Sequence, residues 1–157
     1  MNLLLLHGFT SHPVLTLGPL PQVLREAGFQ VSQPALPGHG TRPEDLLKVG
    51  WQDWLETARA FYRELPEPRG VVGLSMGALL SAHLAAETPT QALVIEAGRD
   101  KVVDPAGVRR YHALLGSSRK EYLVFPESGH DLLLDRDREA VALAVRDWLI
   151  ANSTYLH

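Results

Sequence analysis

Short apolar runs alternate with helix-period segments along the whole chain, and this alternation restricts the fold more than any other feature. Leu3 to Leu6 is a continuous apolar run, the pattern of a strand covered on both faces. Pro19 to Ala27 reads as a helix with Leu20, Val23, Leu24 and Ala27 on one face and Gly28 as its stop. Phe29 to Ala35 is a second strand, and Leu36-Pro37-Gly38-His39-Gly40 is turn chemistry. From Gly50 to Leu65 the residues Trp51, Trp54, Leu55, Ala58, Phe61, Tyr62 and Leu65 recur at helical spacing, which is a core stripe rather than an aromatic binding box. Pro66 to Gly70 breaks that helix. A strand to Leu74 and a helix from Met76 follow, then a strand at Leu93-Val94-Ile95. Asp104-Pro105 caps a helix carrying Val108, Tyr111, His112 and Leu115 on one face. Tyr122 to Phe125 is a fifth strand, and a last helix spans about Arg136 to Ala151. Strands separated by helices in this way predict a parallel sheet with helices on both faces.

Size and composition fit one domain, residues 1–157, with a core of its own. The formal net charge of −3 gives no electrostatic case for nucleic acid or an acidic membrane surface. The chain has no cysteine, so disulfides and thiolate metal sites are excluded. Met1 to Leu6 lacks the basic start of a signal peptide, and no apolar stretch approaches the ~18 residues of a membrane span. A cytoplasmic protein is expected.

The third strand ends in Gly73-Leu74-Ser75-Met76-Gly77 and opens onto the helix former Ala78-Leu79-Leu80-Ser81-Ala82. A G-x-S-x-G pentapeptide occurs by chance in roughly one chain in twenty of this length. Placed between a β-branched run and a helix it gains meaning. The turn holds the serine on a strained backbone so that its hydroxyl projects, and the glycines keep side chains away where strand and helix converge. A serine hydroxyl needs a base to take its proton, and the base needs an orienting carboxylate. In parallel sheets ligands bind beyond the carboxyl ends of the strands. Ser75, Asp100 and His130 all follow strands, in the order of one known class of triad. His130 lies in the loop Pro126-Glu127-Ser128-Gly129-His130-Asp131 and is the expected base. His12, His83, His112 and His157 read as solvated or packed. Asp100 is the expected acid. Asp104 precedes Pro105 and reads as an N-cap, and Glu96 and Glu127 are weaker rivals. The oxyanion of a tetrahedral intermediate needs backbone N–H donors. Met76, beside the nucleophile at a helix amino terminus, and Phe9, in the Gly8-bearing loop after the first strand, are the expected pair.

Taken together, Leu5-Leu6-His7-Gly8-Phe9-Thr10, Leu36 through Leu46, Asp53-Trp54 and Val72 through Gly77 resemble the small bacterial carboxylesterases, which are similar to monoacylglycerol lipases within the α/β-hydrolase superfamily. Gly98 to Val103 resembles that family's acid loop and Ser128 to Asp131 its base loop. The resemblance implies Ser75 as nucleophile, Asp100 as acid, His130 as base, and Phe9 and Met76 as oxyanion donors. It also implies that His7 and His39 brace loops, and that Ala78 stands where the family usually has a second glycine.

The family normally places another strand, and usually a cap, where this chain has only Thr88-Pro89-Thr90-Gln91. The expected architecture is therefore a reduced α/β-hydrolase fold of about five strands, in the order 2-1-3-4-5, with no lid or cap. Loss of an interior strand displaces the acid and base loops by about one strand spacing, ~4.8 Å, which the loops must absorb. The expected activity is hydrolysis of small, short-acyl carboxylic esters, with no cofactor and no metal. A non-catalytic binding protein of the same fold, and a thioesterase or amidase with the same triad, remain the alternatives.

Overall fold

Asn2–Leu6 forms β1, and all four of its leucines are fully buried. Alternation sends Leu4 and Leu6 to one face and Leu3 and Leu5 to the other, so both faces of this strand are covered. β1 pairs in parallel with β2 (Gln30–Ser32) on one side and with β3 (Arg69–Gly73) on the other, with Leu4 opposite Ser32 and Leu6 opposite Gly73. The computed structural model describes residues 1–87 and 91–153, in two compact units, Met1–Leu84 and Ala85–His157. Part of the short connection Thr88-Pro89-Thr90-Gln91 and His157 lie outside the described residues.

In the first unit α1 (Leu20–Glu26) ends as expected. The Gly28 N–H donates to the Arg25 carbonyl and the Phe29 N–H to the Leu24 carbonyl, with Gly28 at φ +92°, so the last turn closes in a Schellman motif. β2 is shorter than the apolar run suggested. Pro34 has no N–H for the ladder, and the chain leaves the sheet before reaching it. A turn at Leu36–His39 follows, with Pro37 and then Gly38 at φ +78°, the type II arrangement. Two 3-10 turns, Leu15–Leu17 and Pro43–Lys48, carry no hydrophobic period and were not anticipated.

The helix α2 (Trp51–Glu64) starts where the Gly50 N–H meets the Asp53 carboxylate at 2.7 Å. Its residues Trp54, Leu55, Ala58 and Tyr62 join Leu4, Leu6 and Leu36, together with Leu80 and Leu84 of α3 (Met76–Ala86), in one buried cluster. The core-stripe reading of this helix therefore holds, with two exceptions. Trp51 is half-exposed and lays its ring on His83 of α3 at 5.8 Å, and Phe61 is exposed.

In the second unit β4 (Gln91–Ala97) and β5 (Arg119–Phe125) pair in parallel, from Gln91 opposite Arg119 to Ala97 opposite Phe125. Both strands start earlier than their apolar runs, because backbone pairing extends past the covered part of a strand. Helices α4 (Pro105–Leu114) and α5 (Arg138–Ser153) both pack on β4. Asp104 caps α4 through the Ala106 N–H at 2.9 Å, as its place before Pro105 implied. Val141, Val145 and Leu149 form the buried stripe of α5. Within each unit the strand neighbours, β2-β1-β3 in a three-stranded sheet and β4-β5 in a two-stranded one, match the corresponding part of the expected order. Among the described residues no helix is long and apolar enough to cross a membrane.

Candidate active site

The elbow is built by close approach. A Cβ added to Gly73 would stand 2.1 Å from the Gly77 carbonyl oxygen, and one added to Gly77 would stand 2.2 Å from that of Leu6. Strand end, turn and helix start thus occupy space that only glycine leaves open. The Leu74 N–H donates to the Leu6 carbonyl at 2.9 Å, tying the turn to the end of β1. The chain then reverses at Ser75, which takes φ +55° without being glycine. That conformation costs an ordinary residue roughly 1–2 kcal/mol and marks the site as functionally constrained. Gly8 lies against the serine: a Cβ there would be 3.3 Å from the Cβ of Ser75. The loop carrying Phe9 therefore runs beside Ser75. Among the described residues the N–H groups of Phe9 and Met76 donate to no protein acceptor.

Two imidazoles hold this loop. His7 is fully buried, accepts the Leu36 N–H at Nε2 (3.0 Å) and contacts the Gly8 carbonyl at Nδ1 (2.9 Å). Its pKa is lowered chiefly by burial, partly countered by the Gly8 carbonyl, so the ring is neutral and its Nδ1–H is the donor. His39 accepts the Thr10 N–H at Nε2 (3.1 Å) and contacts the Pro37 carbonyl at Nδ1 (3.2 Å), while Trp54 donates its indole N–H to that carbonyl at 2.9 Å. Both histidines brace loops, as the resemblance implied, and Trp54 belongs to the core and to the brace at once.

In the second unit, Asp100 and His130 meet. His130 Nδ1 lies 2.8 Å from Asp100 Oδ2, and Asp100 Oδ1 accepts the N–H groups of Val102 (2.8 Å) and Val103 (2.9 Å). The aspartate side chain is only 8% exposed. Burial alone would raise its pKa, but the Val103 amide, His130 and the Val102 amide outweigh burial and hold it below the ordinary carboxylate value. An ionised Asp100 has only acceptors, so His130 Nδ1 carries the proton and Nε2 is left as the basic nitrogen.

The rival acids are otherwise engaged. Asp104 caps α4. Glu96 is buried and takes the Tyr122 hydroxyl and the Arg109 guanidinium. Burial and then the Glu96 contact push the Tyr122 hydroxyl up to about 12, so it remains a donor. Glu127 pairs with Arg99 and Arg136 at the surface. Of the other histidines, His12 accepts the Val14 and Leu15 N–H groups, His83 stacks on Trp51, and His112 abuts Tyr122.

The base loop rests on carboxylates that the sequence reading overlooked. The fully buried Ser128 hydroxyl donates to Asp137 at 2.6 Å and the Gly129 N–H to Asp135 at 2.6 Å. The Arg99 N–H donates to the Ser128 carbonyl at 2.9 Å, joining acid loop to base loop. The aspartates at 135 and 137, just before a helix, were the available signal, since such residues serve as caps. A shallow hollow beside His130 is lined by Gly129, Asp131, Leu134 and Asp135.

The profile of the alpha/beta hydrolase family matches residues 3–97. Over 92 residues the chain is 36% identical to the thermostable monoacylglycerol lipase of Bacillus sp. (strain H-257), covering 57% of this chain and 36% of that protein. Over 95 residues it is 34% identical to a carboxylesterase of Bacillus subtilis (strain 168), covering 58% and 38%. The matched stretch thus spans little more than a third of these curated relatives. Among solved structures, a chain from the metagenome-derived lipolytic enzymes LipS and LipT superposes with TM-score 0.88 at 21% identity, over 96% of this chain and 93% of that one. The monoacylglycerol lipase of Paleococcus ferrophilus gives 0.79 at 15%, over 96% and 94%. At such identities the likeness is one of fold.

Proposed function

This chain belongs to the alpha/beta hydrolase family, and from that premise we propose that it is a serine hydrolase that cleaves carboxylic esters through an acyl-enzyme. Ser75 is the nucleophile, His130 the base, Asp100 the orienting acid, and the N–H groups of Phe9 and Met76 the oxyanion donors. On this reading residues 1–157 are one catalytic domain. The observation that carries the reading is the 2.8 Å contact of His130 Nδ1 with an aspartate whose other oxygen is saturated by two amides. That arrangement makes Nε2 the ring nitrogen that accepts a proton.

The Ser75 hydroxyl loses its proton to His130 Nε2 as its oxygen bonds to the ester carbonyl carbon. The carbonyl electrons move to oxygen, and the two amides stabilise that charge. The C–O bond to the alcohol then breaks, and His130 returns the proton to the leaving oxygen. Water repeats the sequence: His130 takes its proton, the hydroxide oxygen bonds to the acyl carbon, and Ser75 leaves with the proton restored. Asp100 stays ionised throughout and supports the imidazolium. The hollow beside His130 offers one apolar side chain, Leu134, which favours short acyl groups.

A fluorophosphonate probe reacts with activated serines only. Labelling of the folded chain at Ser75, and its loss in Ser75→Ala, is the expected result. An unlabelled folded protein, or a label that survives in Ser75→Ala, overturns the reading. Acetate and butyrate esters of p-nitrophenol should turn over faster than the palmitate ester.

A further inference from the structure

We propose, on the reading of Ser75 as nucleophile and of the Phe9 N–H as oxyanion donor, that the Phe9 side chain is a specificity-determining surface of the same site: a fixed aromatic platform that takes a planar aromatic group carried by the ester. A single exposed aromatic on a protein surface needs no explanation. Phe9 differs in where it stands and in how it is held.

Gly8 brings this loop against the serine, since a Cβ added there would be 3.3 Å from the Cβ of Ser75. Phe9 is the next residue. Its side chain branches from the Cα that bears the N–H aimed at the oxyanion. A group attached directly to the reacting carbonyl, on its acyl or its alcohol side, therefore lies within reach of the ring. The ring is not spent on the core. Phe9 is 54% exposed, whereas its neighbour Trp54 is buried.

The backbone beneath the ring is fixed by local bonds. The Ser11 N–H (3.4 Å) and hydroxyl (2.7 Å) both donate to the Gly8 carbonyl, and the Thr10 N–H donates to His39 Nε2 (3.1 Å). Thr10 turns the chain at φ +59°. The ring leans on Trp54, with centroids 5.5 Å apart and planes at 51°, and meets His39 at 6.1 Å and 77°. Trp54 is itself anchored, by its indole N–H on the Pro37 carbonyl at 2.9 Å and by its place in the buried cluster. These contacts hold part of the phenyl group and leave the rest open. A surface already ordered in this way spares a ligand the entropy of ordering it.

The chemistry of the platform states what it selects. A phenyl group has no hydrogen-bonding atom, so it discriminates by shape and by the charge distribution of its π-system. A second aromatic ring docks on it offset or edge-on and gains more than the apolar area it covers. A saturated ring of the same size covers similar area without that gain. The platform touches none of the bonds that form or break. Its contact is equal in the bound ester and in the transition state, so its effect falls on KM, whereas loss of an oxyanion donor falls on kcat.

The test uses two matched pairs of esters on wild type, Phe9→Leu and Phe9→Tyr. Methyl phenylacetate against methyl cyclohexylacetate probes the acyl side, and benzyl acetate against cyclohexylmethyl acetate the alcohol side. In wild type the aromatic member of one pair should have the lower KM by about 2- to 10-fold, the gain of an aromatic pair beyond its area. Phe9→Leu should bring that ratio to about one, and Phe9→Tyr, which keeps the ring, should restore it. A disturbed oxyanion loop lowers kcat for both members alike and cancels from the ratio. The pair that responds identifies the half of the ester that meets the ring. Equal KM within both pairs in wild type, or a preference that survives in Phe9→Leu, overturns the proposal. A readout without turnover accompanies it. In Ser75→Ala, NMR should show intermolecular NOEs between the ring of a bound aromatic ester and the Phe9 protons, and their absence at saturation also overturns the proposal. A folded protein that the fluorophosphonate fails to label thus counts against the hydrolase reading, while a labelled Ser75 with ratios indifferent to Phe9 counts against the platform alone.

Discussion

The two units hold their functional loops by different physics. Around Ser75 the means are steric: glycines that let backbones meet, a serine and a threonine in the left-handed region, and two imidazoles accepting N–H groups. Around His130 the means are ionic: Asp100, Asp135 and Asp137 each collect donors, and Glu96 and Glu127 draw in arginines. Under the proposed roles, a nucleophile needs a fixed backbone more than a field, whereas a base that becomes an imidazolium needs a nearby negative charge. Each region should therefore fail under its own kind of perturbation.

The largest expected effect lies in the ionic half. Asp100→Asn keeps an acceptor for the Val102 and Val103 amides but turns an NH2 donor toward His130, which favours the wrong tautomer. kcat should fall by about 10⁴-fold with the thermal melt nearly unchanged. Unchanged activity would hand the acid's role to another residue. Next comes the steric half. Gly77→Ala forces a Cβ against the Leu6 backbone, with a stability loss of about 3 kcal/mol or more. The same change at Gly107, inside α4 and with nothing within 4 Å of the added Cβ, should stabilise by about 0.5–1 kcal/mol. Denaturant melts of the two variants would erase the contrast if both shifted the same way.

The smallest effect concerns acid. Burial lowers the pKa of His7 in the fold from its ordinary value of 6.5, so the unfolded chain binds that proton first and the first unit loses stability as pH falls below 6.5. The pKa of Asp100 is lowered from 3.8, so its contribution in the second unit persists until pH falls below 3.8. Amide exchange measured between pH 7 and pH 3 should show protection falling earlier in β1 than in β4. Simultaneous loss would remove the distinction.

Much of the architecture was legible because it depends on local rules. Leu3 to Leu6, the α2 stripe, the Asp104-Pro105 cap and the Gly28 stop each declare themselves within a few residues, and each was found in place. Where the reading fell short, the cause was not local. β2 ended early because Pro34 lies in its path, and β4 and β5 ran longer because backbone pairing ignores side-chain polarity. Trp51 left the core for His83, a partner thirty-two residues away in sequence.

The chain's own pattern thus determined the alternation of strands and helices, the elbow and the residue types at the strand ends, since periodicity, turn chemistry and glycine spacing act over a few residues. Tertiary structure decided which carboxylate faces His130, which imidazole holds Thr10, and that Asp135 and Asp137 carry the base loop. Hydrogen bonds at 2.6–3.1 Å depend on where distant segments come to rest, and no spacing along the chain encodes that distance.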